Sequence, residues 1–406
     1  MKNLLLIYLL ALTFRLSAQT LEDYQQIALK DNPALQAKYK EFEAALTRIE
    51  QVNSLPDPTL SFGYFISPVE TRVGPQKVRF SMTQMFPWFG TLKAQGNVEA
   101  MKAEVIYQQL VDMQNKLRFE ISKSYYPLAE LQQLLDVQVA NIELLNSWKN
   151  LASSKFENGK ISLTDLLRID ILINELETEW QILESKRKPL SIALNRLLNR
   201  PDSTKIHIES LDNKKRLNTR VNDLNNHPRI SELYKRIETA ELQNKAIEKQ
   251  SLPKIGAGLD YFLIGKRSDM NVAENGKNAF MPTITLSLPV FRKKYSVAIM
   301  ENKLKIDADK LNILAVQNEL LSAIANLEYE AEREFKLLGL YEDQITEMKK
   351  IQDLLLISFS NSSEDLDELL RTQMQILNYE EKKIKAQTRL NTLAENLNYV
   401  QASDSN

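Results

Sequence analysis

Four acidic residues near the predicted starts of two helices have the clearest potential for chemistry: Asp165, Asp365, Asp367 and Glu368. Carboxylates gathered around an opening attract cations, and their protonation can couple the opening to pH. A second interpretation is helix capping, because Ser162 with Asp165 and Asp365 with Glu368 are typical N-terminal pairs. The pattern therefore predicts either a pore lined by carboxylates or ordinary helix caps.

Other chemistry finds little support in the sequence. No nucleophile with a matching base, no phosphate-binding loop and no pair of catalytic acids is visible, so we predict neither an enzyme nor a cofactor. There is no cysteine, His207 and His227 lack partners at ligand spacing, and the ten methionines are scattered, so we predict no metal site. A net charge of −1 gives no reason to expect a nucleic-acid partner.

The first residues have the pattern of a secretion signal. Lys2 is followed by an apolar run from Leu4 to Phe14 and by the small pair Ser17-Ala18. We predict a signal peptide over residues 1–18 and an exported mature chain.

Short alternating segments, bounded by proline and glycine, predict four strands at 59–66, 78–86, 255–264 and 280–288. In the first strand Leu60, Phe62 and Tyr64 fall on one face, while Ser61 and Gly63 fall on the other. One apolar and one polar face suit a tilted membrane strand. They equally suit a half-buried hairpin in a soluble sandwich.

Two long helical hairpins follow the strand pairs. Apolar residues at three-to-four spacing predict one hairpin over 91–198, turning at Asn158-Gly159. A second hairpin over 295–400 turns at Asn361-Ser362. At 1.5 Å per residue, the first helix would be about 100 Å long.

Proline landmarks indicate an internal repeat, since Pro33, Pro56 and Pro87 align with Pro228, Pro253 and Pro289. We predict a first repeat over 19–200, an equatorial linker over 201–228, a second repeat over 229–400 and a tail over 401–406. Each repeat contains a leading helix, two strands and a helical hairpin. Four strands cannot close a barrel, and long two-helix hairpins bury too little surface alone. Several identical chains sharing one tube would meet both needs.

The residues resemble the TolC family of outer-membrane efflux proteins over the whole mature chain, most closely its heavy-metal and drug branch. The resemblance rests on Leu55-Pro56-Asp57-Pro58, Phe86-Pro87-Trp88-Phe89-Gly90, the segment 152–159 followed by Asp165-Leu166-Leu167, and the duplication. It implies a mainly α-helical homotrimer, with a twelve-stranded β-barrel in the outer membrane and a long periplasmic α-helical barrel. It also implies docking on a periplasmic adaptor protein and an inner-membrane pump of the RND type.

The resemblance assigns roles to particular residues. The periplasmic tips would be the gate, with the four acidic residues as pore candidates. The adaptor-contact tip would comprise Asn158, Gly159, Leu166, Asn361, Ser362 and Leu369. Phe156 and Phe359 are as well explained by packing within the hairpins. Trp88 and Phe89 fit a membrane-interface anchor, or a packed corner between barrel and helix.

The function that the resemblance implies is a passive exit duct for small molecules or metal ions. An alternative within the same architecture is the outer-membrane channel of a type I protein-secretion system. From a different class, the chain could be a periplasmic coiled-coil scaffold, for which we would expect extraction without detergent. The cargo, the cognate pump and the resting state of the gate stay open at this point.

Overall fold

The structure is a computed structural model that describes residues 20–209, 224–361 and 366–402. The predicted signal peptide, the central part of the predicted linker and most of the predicted tail lie outside these residues. Two predicted tip residues, Ser362 and Asp365, also lie outside them. All other candidate residues are described.

The same order of two strands, a long helix, a turn and a second helix occurs twice. The first half contains α1 (Leu21–Asp31), α2 (Pro33–Asn53), β1 (Thr59–Thr71), β2 (Gly74–Phe86), α3 (Thr91–Glu157) and α4 (Leu163–Leu197). The second half contains a 3-10 helix (Leu224–Asn226), α5 (Pro228–Gln250), β3 (Lys254–Ile264), β4 (Ala279–Ser287), α6 (Lys293–Asn361) and α7 (Leu366–Val400). Both helical hairpins are present close to the predicted positions.

The helices owe their length to composition and to well-placed caps. α3 and α6 have 67 and 69 residues, in a chain with only ten glycines to oppose helix. Between α1 and α2, the Asn32 side-chain oxygen accepts hydrogen bonds from the backbone N–H groups of Ala34 and Leu35 at 3.0 and 3.2 Å. Pro33 suits the first helical position because it lacks an N–H.

Within the described ranges, we find no helix both long enough and apolar enough to cross a membrane.

The four strands form one antiparallel sheet in the order β1-β2-β3-β4. The predicted strands of the first hairpin, 59–66 and 78–86, were too short, because Pro68 and Gly74-Pro75 suggest a loop between them. The pairing continues past a register shift between Tyr64 and Val69 to a tight turn at Arg72-Val73. Gly74 permits this turn, since its φ is +130° and a Cβ atom there would collide with the backbone oxygen of Gly265.

The chain divides into two compact units, and each draws on both halves of the sequence. Unit 1 contains the described residues of Met1–Ala37, of Asp112–His227 and of Asn318–Asn406. Unit 2 contains Lys38–Val111 and Pro228–Gln317. These units differ from the predicted domains, which followed the repeat, because corresponding elements of the two halves pack together.

In unit 1, two tyrosine hydroxyls fix the start of the predicted linker. The Tyr24 hydroxyl donates to the backbone oxygen of His207 at 3.1 Å and accepts from its N–H at 3.0 Å. The Tyr125 hydroxyl accepts from the N–H of Glu209 at 3.1 Å. Burial raises the pKa of both tyrosines above the ordinary value of 10.0, which is itself well above neutral pH, so both hydroxyls are protonated.

Glu130 on α3 should make the stability of unit 1 depend on pH. Burial raises the pKa of its carboxyl, and this outweighs the opposing effects of Lys385, Thr388 and Lys186. The folded chain therefore holds this proton more tightly than the unfolded chain, and stability is lost as the pH rises above 4.5 through the raised pKa. We expect Glu130→Gln to raise the thermal unfolding midpoint near neutral pH and to leave it unchanged at about pH 3.

Circular dichroism at both pH values checks this expectation, with the exposed Glu143→Gln on the same helix as the matched control. The control variant should unfold like the wild type at both pH values. An equal shift of the Glu130→Gln midpoint at both pH values would contradict the burial argument.

Candidate functional site

The ends of four helices from both halves meet in one apolar core of unit 1, which we call the tip cluster. It lies where α3 ends, α4 begins, α6 ends and α7 begins. Its buried members are Leu145, Trp148, Ala152, Ile169, Ile173, Leu176, Phe359, Leu366, Leu369, Leu370 and Leu377. Because both hairpins contribute to one core, a displacement of one tip must repack the other.

The turn of the first hairpin is held by its own backbone. Gly159 has φ +66°, a left-handed conformation that favours glycine at the end of a helix. Its N–H donates to the oxygen of Phe156 at 2.8 Å, and the N–H of Lys160 donates to the oxygen of Lys155 at 2.9 Å. Lys155 is buried, and its ammonium lies 5.0 Å from the ring centre of Phe359 in the tip cluster.

Asp165 takes part in capping the start of α4, which was one of the two interpretations of this residue. Ser162 is the N-cap of α4, and its hydroxyl accepts from the N–H of Asp165 at 3.2 Å. The Asp165 carboxylate in return accepts from the N–H of Ser162 at 3.0 Å. This capping box satisfies two backbone donors. A pore role for the same carboxylate stays a prediction.

Asp367, at the start of α7, forms an ion pair with Arg168 on α4. Both side chains are about half exposed, so the pair lies at the surface of the tip. Glu368 is exposed beside it. Sequence reasoning missed Arg168, although it ends the segment Asp165-Leu166-Leu167-Arg168, which residues 368–371 repeat with Glu in place of Asp.

The predicted adaptor-contact residues divide into exposed and buried side chains. Asn158, Gly159 and Asn361 are exposed, whereas Leu166 is half-buried against the tip cluster. Leu369 is a correction, since its side chain is fully buried in the tip cluster and has no surface to offer a partner. Leu163, Leu167 and Ile171, on one face of α4, are exposed instead. Their four-residue spacing was the signal that could have identified them.

One face of the sheet is apolar and exposed in unit 2. Cross-strand pairing places Phe62, Phe80, Tyr261 and Phe280 in one row across all four strands. The ring centres of Phe62 and Phe80 are 5.3 Å apart, and those of Tyr261 and Phe280 are 4.7 Å apart. Ile66 and Ile284 are 91% and 87% exposed, so none of the described residues covers that face at either position.

The opposite face of the sheet is polar. Thr59, Thr83, Gly258 and Thr283 form one row across the strands. On the same face the Asp260 carboxylate is fully buried. It forms an ion pair with Arg79 and accepts a hydrogen bond from the Ser81 hydroxyl. Small hydroxyl and glycine residues on one face, with apolar rings on the other, match the alternation expected of strands between lipid and water.

Two junctions between strand and helix expose aromatic rings. Trp88 and Phe89 follow β2, with ring centres 6.2 Å apart and nearly perpendicular planes. Phe89 is 82% exposed, which supports the anchor interpretation over a fully packed corner. Val290 and Phe291 follow β4 at the corresponding place, and Phe291 is also 82% exposed. The sequence analysis gave an anchor role only to the first junction, although it aligned Pro289 of the second with Pro87 of the first.

A stripe of apolar residues on α6 is left exposed by the described part of the chain, and we call it the α6 seam. Its residues are spaced by three, four or seven along the helix, as in a coiled coil. They are Val297, Met300, Leu304, Leu311, Leu314 and Leu321, all exposed. The other side of the helix, including Ile313 and Leu320, is buried against this chain.

The contacts of the two histidines indicate structural roles. The backbone of His207 is bound by Tyr24, and His227 is buried just before α5. Among residues 20–209, 224–361 and 366–402, no group of three His, Asp or Glu side chains is placed to hold a metal ion.

No family model and no curated protein matches the sequence. Solved structures do match it, along most of the chain. The outer membrane protein VceC from Vibrio cholerae is 15% identical, with a TM-score of 0.69 over 94% of this chain and 95% of that one. The Neisseria gonorrhoeae MtrE outer membrane channel in its open state is 16% identical, with a TM-score of 0.67 over 94% and 89%.

The Campylobacter jejuni CmeC outer membrane channel is 14% identical, with a TM-score of 0.68 over 94% of this chain and 85% of that one. VceC is an outer membrane protein, and CmeC and MtrE are outer membrane channels. Such agreement over nearly the full length of both chains confirms the fold that the resemblance to the TolC family implied. The chain therefore has the fold of bacterial outer-membrane channel proteins.

Proposed function

We propose that this chain forms a passive duct through the outer membrane, the exit channel of a tripartite efflux system, with most of the protein in the periplasm. The observation that carries the proposal is a pair of uncovered apolar surfaces, the outer face of the sheet and the α6 seam. The fold shared with outer-membrane channel proteins supports it.

The sheet argues for several chains in one barrel. In the described part of the chain, β1 and β4 each have one paired edge and one free edge. In lipid, each unsatisfied backbone group costs several kcal/mol, so the free edges need partners. Three copies would supply twelve strands and join β4 of one chain to β1 of the next. The apolar row would then face lipid and the polar row would line the channel.

The α6 seam argues for the same assembly in the helical part. Heptad spacing on an exposed helix face is typical of a surface that packs against another helix. A neighbouring copy can bury this seam, and repetition around a threefold axis closes a helical barrel. We therefore propose a homotrimer in which the same neighbouring copies complete both the sheet and the helical hairpins.

The tip is the proposed docking and gating end. Exposed Asn158, Gly159 and Asn361, with the apolar stripe of Leu163 and Leu167, form the surface that an adaptor protein would meet. An inner-membrane pump would supply the energy. The Arg168–Asp367 pair would hold the tips together in the resting state. The cargo we propose is a small molecule or a metal ion.

Deletion of the gene tests the proposal directly. Growth of the deletion strain and of a strain with the gene restored would be compared under metal salts, detergents and antibiotics. We expect lower tolerance to at least one of these classes, because the pump would lose its exit. Restoring the gene should return tolerance to the original level.

Other outcomes would point elsewhere. Unchanged tolerance to every class would contradict an efflux role. Loss of a secreted protein from the medium would favour the type I secretion channel. Recovery of the full chain in the aqueous periplasmic fraction, without detergent, would favour the coiled-coil scaffold.

A further inference from the structure

The turn between β4 and α6 combines an exposed apolar pair with three consecutive cations. Val290 and Phe291 are 71% and 82% exposed, and Arg292, Lys293 and Lys294 follow directly and are exposed as well. The equivalent turn after β2 has Gly90, Thr91 and Leu92 in those three places. The turn after β4 therefore carries more positive charge than the turn after β2, whereas both turns expose apolar side chains.

The three cations have no carboxylate partner among the salt bridges of the described ranges. The Lys294 ammonium instead lies 4.8 Å from the ring centre of Tyr295. The first described acid along α6, Glu301, pairs with Lys305. A cluster of three positive charges thus stands open to solvent beside an apolar surface.

We infer that residues 290–294 form a binding surface for anionic phospholipid headgroups in the periplasmic leaflet of the outer membrane. The inference rests on the proposed function, which places the apolar face of the sheet in lipid. Ile284 and Leu286 belong to that face and are exposed a few residues before the turn. The chain leaving the bilayer must cross the headgroup layer next, where Phe291 inserts among the acyl chains and the cations meet the phosphates.

The surface should select lipids by charge, and more strongly in the second half than in the first. Basic residues near an anionic membrane each contribute about fivefold in affinity at moderate salt, and the effect is lost within a Debye length. Each protomer then carries one strongly basic junction at 290–294 and one less basic junction at Trp88 and Phe89, which Lys93 follows. A trimer would alternate them around the channel.

The test uses the detergent-extracted full chain placed in vesicles of phosphatidylcholine, with or without phosphatidylglycerol. Lipids that remain bound after re-extraction are counted by native mass spectrometry. We expect the wild type to retain phosphatidylglycerol in preference to phosphatidylcholine. Arg292→Gln with Lys293→Gln and Lys294→Gln should reduce this preference by about fivefold for each cation removed.

The matched control removes three exposed cations further along the same helix, with Lys303→Gln, Lys305→Gln and Lys310→Gln. These begin about 15 Å beyond Lys293 along the helix, more than a Debye length of about 10 Å at 0.1 M salt. The control should retain the preference. A separate variant, Phe291→Ser, should weaken retention of both lipids without changing their ratio.

Several results would overturn the inference. Equal loss in the two triple variants would mean that net charge, rather than this surface, selects the lipid. Inorganic phosphate that competes as well as vesicle lipid would indicate a site for free anions. A protein that inserts but shows no charge preference would overturn the inference alone, whereas failure to enter any vesicle would overturn the proposed function with it.

Discussion

Leu304→Glu combined with Leu311→Glu should abolish the assembly of the protein. Both leucines lie on the α6 seam, two turns apart, and both are exposed in the single chain. If a neighbouring copy buries them, each substitution loses about 2–3 kcal/mol of apolar transfer and adds a carboxylate that must be desolvated. The losses recur in every subunit contact, so we expect monomer in place of trimer by light scattering in detergent.

The single chain should tolerate the same substitutions. The seam is exposed in the isolated fold, so the helix content measured by circular dichroism should not change. Asn312→Glu with Asn326→Glu is the matched control, because it adds two carboxylates to exposed positions of α6 one residue beyond the seam register. The control should remain trimeric. A double leucine variant that assembles like the wild type would refute the role of the α6 seam.

Breaking the Arg168–Asp367 pair should favour the open channel. Removing the arginine and removing the aspartate should shift the ion preference of the channel in opposite directions. An exposed ion pair contributes about 0.5 kcal/mol, and both side chains here are about half exposed. Three pairs in a trimer would then bias the closed state by roughly 1.5 kcal/mol, or about tenfold in the ratio of closed to open channels. Either Arg168→Gln or Asp367→Asn should remove that bias.

The two variants should differ in selectivity. Arg168→Gln leaves three uncompensated carboxylates around the opening and should increase cation preference, whereas Asp367→Asn leaves three guanidinium groups and should reduce it. Recordings of single channels in planar bilayers measure both quantities. Arg371→Gln removes the arginine at the corresponding position of the second half and serves as the control. Wild-type conductance and selectivity in both variants would exclude this pair from the gate.

Much of the fold was accessible from local patterns. The proline landmarks, the alternating segments and the long runs at helical spacing act over a few residues, so they predicted the helices and the second strand pair closely. The length of β1 was mispredicted because Pro68 and Gly74-Pro75 suggest a loop. The hairpin instead passes through a register shift and uses the positive φ of Gly74 to turn.

The candidate site was only partly accessible. Ser162 and Asp165 are three residues apart, so their capping box could be predicted from spacing alone. Arg168 and Asp367 are 199 residues apart, and no local pattern joins them. Leu369 was predicted to contact an adaptor at the tip, but its side chain is buried because the second hairpin packs against the first.

By itself, the sequence determined the order of elements, the alternation of the strands, the helix boundaries and the repeat, because these follow from backbone preferences and periodicity within short stretches. Only the tertiary structure decided which side chains of the two halves meet, which face of α6 the described residues leave exposed and which tip residues stay exposed. Those properties depend on contacts between residues far apart in the chain, and periodicity carries no information about them.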